Sequence, residues 1–510
     1  FYSKLNSEDE KFKYVIKLIC DKLGSIIPQV FDGITDYIDL LIPDNMLLEN
    51  GFVYKLINNI NIENFEAVEI IGWLYQYYNQ AEKDKAMSNR KTYSKDEIPY
   101  VTQLFTPEWI VRFMVENTLG NLYINSTGDN EFSRNLKYYV KDNKQLNNVN
   151  NFNIERISFI DPCSGSGHIL VYAFDVFYKI YENLGYNKKD ISKLILKNNL
   201  YGLDIDDRAF QLTLFSVLLK ARQFDKDLFN ENIISNLNIT SINENSSVLE
   251  SYLELIDNTE IKEKLMVLIN QFTNAKEIGS LLKIELDNYD DIEDYLEKDN
   301  TIFSHDLKLK FLPFIKAARI LTKKYDIYVT NPPYLNADSM NPILKKYINT
   351  NYSNYKQDLY ASFMGVDLLK ENGLMGMIDQ HGWMFLTTFE KTRVDYLNNY
   401  SLQILLHLGP RSFEEIGGEV VQNSCFISKK TKINNESLFF RLIDYKSPKL
   451  KEEQFLKSLL SNENVYHFNN SFSNIPGSPI SYWLNDAIIE DFKKATLLGD
   501  LLPVKKGMDS

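Results

Sequence analysis

The segment Asn331-Pro332-Pro333-Tyr334 follows the apolar run "YDIYVT" at 325–330. Neither proline has an N–H, so the stretch offers almost only acceptors. The side-chain oxygen of Asn331 adds another. Two acceptors converging at a strand end suit a donor pair on one nitrogen, an –NH2 group. Holding both hydrogens aims the nitrogen lone pair in a third direction, towards a methyl donor. Tyr334 adds a flat face for a planar base or amide. Such a site needs no strong general base, because a nitrogen that has gained a methyl is cationic and sheds its proton readily. It needs alignment for in-line displacement. The plainer reading of the same four residues is a strand ended by prolines and a turn.

A second group stands at 161–170, "DPCSGSGHIL". Asp161 and Pro162 close an apolar run, Gly165 and Gly167 follow, and a helix is expected from about His168. Glycines let a backbone approach a ligand where a Cβ would collide, and a helix start offers unpaired N–H groups. A dinucleotide loop would aim these at a pyrophosphate. An acid in the turn instead favours a cationic amine, such as that of S-adenosyl-L-methionine. The bland alternative is a tight turn between strand and helix. About 40 residues on, "LDIDDRAF" places Asp204 where a carboxylate can accept both ribose hydroxyls. Ile205 could then lie on an adenine face, while Asp206 or Asp207 reads as the N-cap of the next helix. Upstream, "LFTPEWIVRFMVEN" offers Thr106 as N-cap and Pro107 as first helical residue. The functional alternative has Phe105 and Thr106 closing over the methionine end of the cofactor.

These residues need a scaffold that brings strand ends together. From about 101 to 430 short apolar runs alternate with amphipathic stretches: "RISFI", "NLYGLDI", "NITSI", "YDIYVT", "GLMGMID", "LQILLHL" and "SCFISKK". That alternation predicts an α/β fold with a mainly parallel sheet, in which ligands bind beyond the carboxyl ends of the strands. Residues 1–98 read as a helical N-terminal domain. Ile70, Ile71, Trp73, Leu74, Tyr77, Tyr78 and Ala81 fall at helical spacing, and a polar loop is expected over 82–98. Residues 99–430 form the expected catalytic domain, with an acidic helical insertion at about 246–325 packed on its rim. Residues 431–510 read as a linker and the start of a further region.

The 510 residues are 44% apolar and 25% charged, as in a globular protein of more than one domain. The net charge of −13 suits a nucleic-acid binder poorly. However, residues 251–300 alone hold 13 acids against five lysines, so the charge elsewhere is close to balanced. Three dispersed cysteines and the lack of a signal peptide fit a reducing cytoplasm. The five histidines show no metal spacing.

The order of these motifs, with "FTP" before the glycine loop and "NPPY" after it, resembles the amino-methyltransferases that modify N6 of adenine in DNA. The longer strings "IPYVTQLFTPEWIVRFMVENTLG", "DPCSGSGHILVYAFDVFYKIY", "NLYGLDIDDRAFQL" and "GMIDQHGWMFLTTFEKTR" resemble the PglX-type adenine-specific methyltransferases of BREX phage-defence systems. The resemblance covers roughly 60–510. It implies a Rossmann-like methyltransferase sheet, S-adenosyl-L-methionine as cofactor and a non-palindromic site in double-stranded DNA. It further implies a flipped adenine and other BREX-system proteins as partners. By position, Phe105, Thr106, Asp161, Pro162, Gly165, Gly167, Asp204 and Ile205 would hold the cofactor. Asn331, Pro332, Pro333 and Tyr334 would receive the adenine. Asn243 or Glu244 would meet the cofactor's own adenine amine, and Phe413 would wall the target base. Because the family continues into a target-recognition region, the sequence reads as a fragment lacking most of it. Two alternatives remain from the motifs: methylation of a protein glutamine or an RNA base, and a cofactor-binding scaffold inactive without partners.

Overall fold

The computed structural model describes residues 7–31, 42–63, 70–88, 92–102, 104–141, 152–230, 237–285, 289–298, 303–413, 421–432, 436–469, 471–496 and 501–502. Nine strands form one sheet: β1 (Phe159–Asp161), β2 (Leu200–Asp204), β3 (Asn238–Ser241), β4 (Tyr325–Thr330), β5 (Leu369–Gln380), β6 (Tyr400–Pro410), β7 (Gln422–Lys430), β8 (Ser437–Arg441) and β9 (Val465–Phe468). Their order is β3-β2-β1-β4-β5-β7-β6-β8-β9. The pairs β3/β2, β2/β1, β1/β4 and β4/β5 are parallel, and β7 runs antiparallel between β5 and β6. The chain steps outward from β1 to β2 and β3, then returns to the other side of β1 as β4. The β1/β4 boundary is therefore the switch point, where strand ends diverge and leave a crevice.

Strand side chains alternate between two cores, as the pleat requires. Ile160, Leu203, Tyr328, Met377 and Phe426 belong to one. Phe159, Ile327, Val329, Ile378 and Ile427 belong to the other. The helix His168–Asn183 covers the second core and buries Leu170, Ala173, Phe174, Phe177, Ile180 and Tyr181 along one face. Beside it lie the helices Asp207–Phe224 and Glu108–Val115.

Three boundaries differ from the sequence reading. The helix Ile70–Ser88 runs through the first half of the expected 82–98 loop. Its Glu, Lys and Ala residues are good helix formers, and Ala86 is buried. Tyr77, expected on the apolar stripe, is 71% exposed. The acidic insertion is not confined to the rim. Leu265, Ile269, Phe311 and Ile315 are fully buried in the first core with sheet residues, and the helix Ser304–Thr322 is the crossover into β4. Most of its acids occupy the solvent face of helices whose other face packs on the sheet. Finally, the sheet does not end at 430: β8 pairs with β6, and β9 with β8. Phe439 of β8 stacks on Tyr482 at 4.6 Å. No helix among the described residues is long and apolar enough to cross a membrane.

Candidate active site

Asp161 is the last residue of β1 and Asp204 the last of β2, while Asn331 directly follows β4. All three line one cleft at the switch point, together with Phe105, Thr106, Pro162, Gly165, Ile205 and Pro333. Nine of the sequence-derived site residues are thus brought together by neighbouring strand ends.

The glycine loop is held from several sides. Gly165 N–H donates to Asp204 Oδ2 at 2.8 Å, and Asp206 N–H donates to Asp204 Oδ1 at 2.9 Å. Asp204, expected on the ribose, therefore also braces the loop in front of it, each oxygen keeping a further lone pair. Gly165 has φ +55° and nothing within 4 Å of the position a Cβ would take, so the cleft is open there. Gly167 has φ +87° and begins the helix. A Cβ there would meet Thr213 Cα at 3.0 Å, so this glycine serves packing beneath the loop and does not line the cleft.

Asp161 is 1% exposed. Its Oδ1 accepts from Cys163 N–H at 3.1 Å and from the Thr330 hydroxyl at 2.8 Å. Burial raises its pKa to about 7, with the neighbouring Asp204 charge adding to the rise. Asp204 is raised to about 7 as well, chiefly by burial, against the pull of its two backbone donors. Two buried acids with no cation on Asp161 are the electrostatic complement of a ligand that brings a positive charge.

Asn331 carries the observation closest to chemistry. Its Nδ2 donates to the Leu104 carbonyl at 2.9 Å, which fixes the amide's orientation. Its Oδ1 is buried and has no hydrogen-bond partner among the described residues. A buried acceptor left unmatched costs free energy unless something meets it. Downstream, Asp358 Oδ1 accepts Leu335 N–H at 2.9 Å and anchors the end of the segment. Asp358 also caps the helix Leu359–Met364, whose Leu359 and Phe363 form an apolar wall of the cleft. Pro332 is buried. The Tyr334 hydroxyl donates to the Ile378 carbonyl at 3.2 Å, and its ring meets Tyr360 edge-on at 5.9 Å. Neither Pro332 nor Tyr334 lines the cleft itself.

Thr106 is not a helix cap. The helix starts at Glu108 with Pro107 as N-cap and no side-chain capping bond. Thr106 and Phe105 are left in the turn facing the cleft, and Phe105 packs edge-on against His168 at 5.8 Å. Asp206, by contrast, is the N-cap its spacing suggested, accepting from Arg208 N–H at 2.9 Å.

Besides Gly167, Pro332 and Tyr334, two more sequence-derived candidates fall outside the cleft lining. Asn243 lies past β3 without reaching it, and its neighbour Glu244 pairs with Lys95 at 3.2 Å. Phe413 is 4% exposed and packs in the second core, so its ring is not a free wall. Residues 414–420, which follow it, lie outside the described residues.

The structure adds residues that no motif marked. Tyr75 reaches the cleft from the N-terminal helix and donates its hydroxyl to Asp206. Gly72 lets that helix approach, since a Cβ there would stand 2.8 Å from Ser166 Oγ. Glu277, Ile278, Gly279 and Ser280 line the cleft from within the acidic insertion. A glycine after a short helical stretch is too common a signal to have revealed them.

The chain resembles known methylases in sequence. Residues 198–413 match the Eco57I restriction-modification methylase family. The chain is 34% identical to the adenine-specific methyltransferase BrxX of Escherichia coli O9:H4 (strain HS), over 99% of this chain and 45% of that protein. It is 36% identical to the adenine-specific methyltransferase PglX of Lacticaseibacillus casei (strain Zhang), over 95% of this chain and 43% of that one. By sequence, the chain is similar to these adenine-specific methyltransferases. It spans less than half the length of both relatives. Among solved structures, that of a DrdV–DNA complex matches 89% of this chain and 39% of its own, with a TM-score of 0.49 and 12% identity.

The residues present fit the expected cofactor. The open approach at Gly165, the acid pair and the apolar Ile205 and Phe105 suit a ligand with an ammonium, a ribose and a flat base. Phe105 and Thr106 would hold the methionine end, Asp161 the ammonium, Asp204 the ribose and Ile205 the adenine.

Proposed function

We propose that this chain is the catalytic part of an enzyme that methylates N6 of a flipped-out adenine in a specific double-stranded DNA site, using S-adenosyl-L-methionine. We further propose that the mark labels host DNA as self in a BREX-type phage-defence system, where other BREX proteins act alongside it. The observation that carries the proposal is the Asn331 amide, with its nitrogen tied to Leu104 and its oxygen buried and unmatched beside the glycine loop.

The residues divide the work as follows. Asn331 Oδ1 accepts one hydrogen of the target amine, and the carbonyl of Pro332 accepts the other. The amine's lone pair is then directed towards the part of the cleft bounded by Phe105, Thr106 and Gly165. When bound, S-adenosyl-L-methionine supplies a methyl group on a sulfonium, an electrophile for in-line displacement. The chain contributes alignment and exclusion of water, with Pro333, Leu359 and Phe363 closing the apolar side. The methylated nitrogen is cationic and releases its proton without a dedicated base. Tyr334 braces the segment through its hydroxyl bond to the Ile378 carbonyl.

Long-read modification mapping of DNA from cells with and without the gene tests the proposal. N6-methyladenine at one recurring sequence, lost with the gene and restored by it, is the expected result. Methylation confined to protein or RNA would overturn it.

A further inference from the structure

This inference rests on the cofactor reading above. The short helix Ala275–Ile278 and the turn after it are clamped to the cleft at two points. Lys276 Nζ donates to the Ile205 carbonyl and to Asp207 Oδ1, each at 2.8 Å. Ser280 Oγ donates to the Pro162 carbonyl. Gly279 shapes the turn between the clamps: its φ of +63° favours glycine, and a Cβ there would make only ordinary contact with Ile205 Cδ1 at 3.4 Å. The insertion is thereby fixed against both the glycine loop and the loop after β2.

Between the clamps stands Glu277. It lines the cleft, and its Oε2 is buried without a hydrogen-bond partner among the described residues. Its position follows from its neighbours. Lys276 ties it to the Ile205 side of Asp204. Lys95, paired with Glu244 just past β3, feels the Glu277 charge at longer range. Glu277 therefore stands near the residues that follow β2 and β3. Along a nucleoside that runs past Asp204, this is the base end. Ile205 and Ile278 are the apolar side chains there. A flat purine with one amino edge matches two aliphatic contacts and one carboxylate acceptor.

We propose that Glu277, in the acidic insertion, accepts a hydrogen bond from the 6-amino group of the cofactor's purine and so selects 6-aminopurine cofactors. The insertion is then part of the cofactor site. The residues after β3, Asn243 and Glu244, are relieved of that task.

The test compares binding of S-adenosyl-L-homocysteine with its 6-deaminated analogue, in which purine carries hydrogen at C6, by titration calorimetry. A hydrogen bond to a carboxylate makes wild type prefer the amino form by roughly 10- to 100-fold. In Glu277→Ala the two ligands bind alike, with the affinity for the deaminated form within about threefold of wild type, as expected when only one polar contact is lost. That unchanged affinity also shows the variant is folded. Glu277→Gln keeps a neutral acceptor, so a preference of roughly fivefold survives. Full amino preference in Glu277→Ala, or no preference in wild type, overturns the assignment. Failure of wild type to bind either ligand overturns the cofactor reading itself and the assignment with it.

Discussion

Replacing Asn331 by alanine separates alignment of the target from binding of the cofactor. The substitution removes two things of different size. One is the 2.9 Å bond from Nδ2 to the Leu104 carbonyl. A neutral bond of this kind contributes about 1 kcal/mol net. It seats the turn carrying Phe105 and Thr106, so cofactor affinity should fall by no more than about fivefold, the factor that 1 kcal/mol represents. The other is the buried Oδ1, positioned for the reacting amine. Losing one preorganised polar group that acts on the transition state costs about 3–4 kcal/mol, or roughly 10²- to 10³-fold in rate. Expected together are a large loss of methyl transfer and a nearly intact cofactor Kd. The assay pairs tritiated methyl incorporation into duplex DNA with calorimetric titration of S-adenosyl-L-homocysteine on the same preparations. Equal losses in rate and affinity would refute the reasoning, because Asn331 would then be a support of the cofactor pocket and not the amine acceptor.

Other outcomes follow from the same geometry. Asp161 and Asp204, at about 7 in the fold against an ordinary value of 3.8, hold their protons more tightly when folded. Their contribution to stability is therefore fully present below about pH 4 and is lost as pH rises through about 7. The ligand's ammonium needs Asp161 ionised, so cofactor affinity should climb by up to about tenfold per pH unit towards pH 7 and then level off. Melting curves and titrations from pH 5 to 8 check both signs, and an affinity that falls with pH would contradict the pairing. Gly165→Ala should cost the fold only about 1–2 kcal/mol for a left-handed non-glycine residue while abolishing measurable cofactor binding, since its Cβ enters the open cleft. Gly167→Ala should lower the melting temperature more, because its Cβ meets the Thr213 backbone; equal thermal shifts would count against the distinction. Tyr75→Phe removes a hydroxyl bonded to the Asp206 carboxylate, so a loss of about 1.5–3 kcal/mol in docking of the N-terminal helix is expected. Faster hydrogen exchange over 70–88 would report that loss, and unchanged exchange would contradict it.

The parts of the protein that the sequence determined are those where chemistry and local geometry coincide. All seven apolar runs read as strands are strands, because a doubly covered sheet demands continuous β-branched and aromatic segments. Acids at the ends of β1 and β2 and the prolines after β4 announce themselves for the same reason: a strand end is where the backbone stops pairing and side chains take over. The likeness to adenine-specific methyltransferases was legible in longer strings such as "DPCSGSGHILVYAFDVFYKIY". What only the tertiary structure decided is how distant segments share one cleft. Glu277 lies 73 positions beyond Asp204, in a stretch whose composition reads as a solvated acidic face, and nothing local says that one of its carboxylates turns inward. Thr106 looked like a helix cap because Thr-Pro-Glu suits one; docking of Phe105 on His168 placed it in the cleft instead. Phe413 looked available and is consumed by the core. Spacing along a chain encodes which face of an element is apolar, but which residues meet across the cleft is fixed by how the elements pack, through contacts whose sequence separation carries no periodic signal.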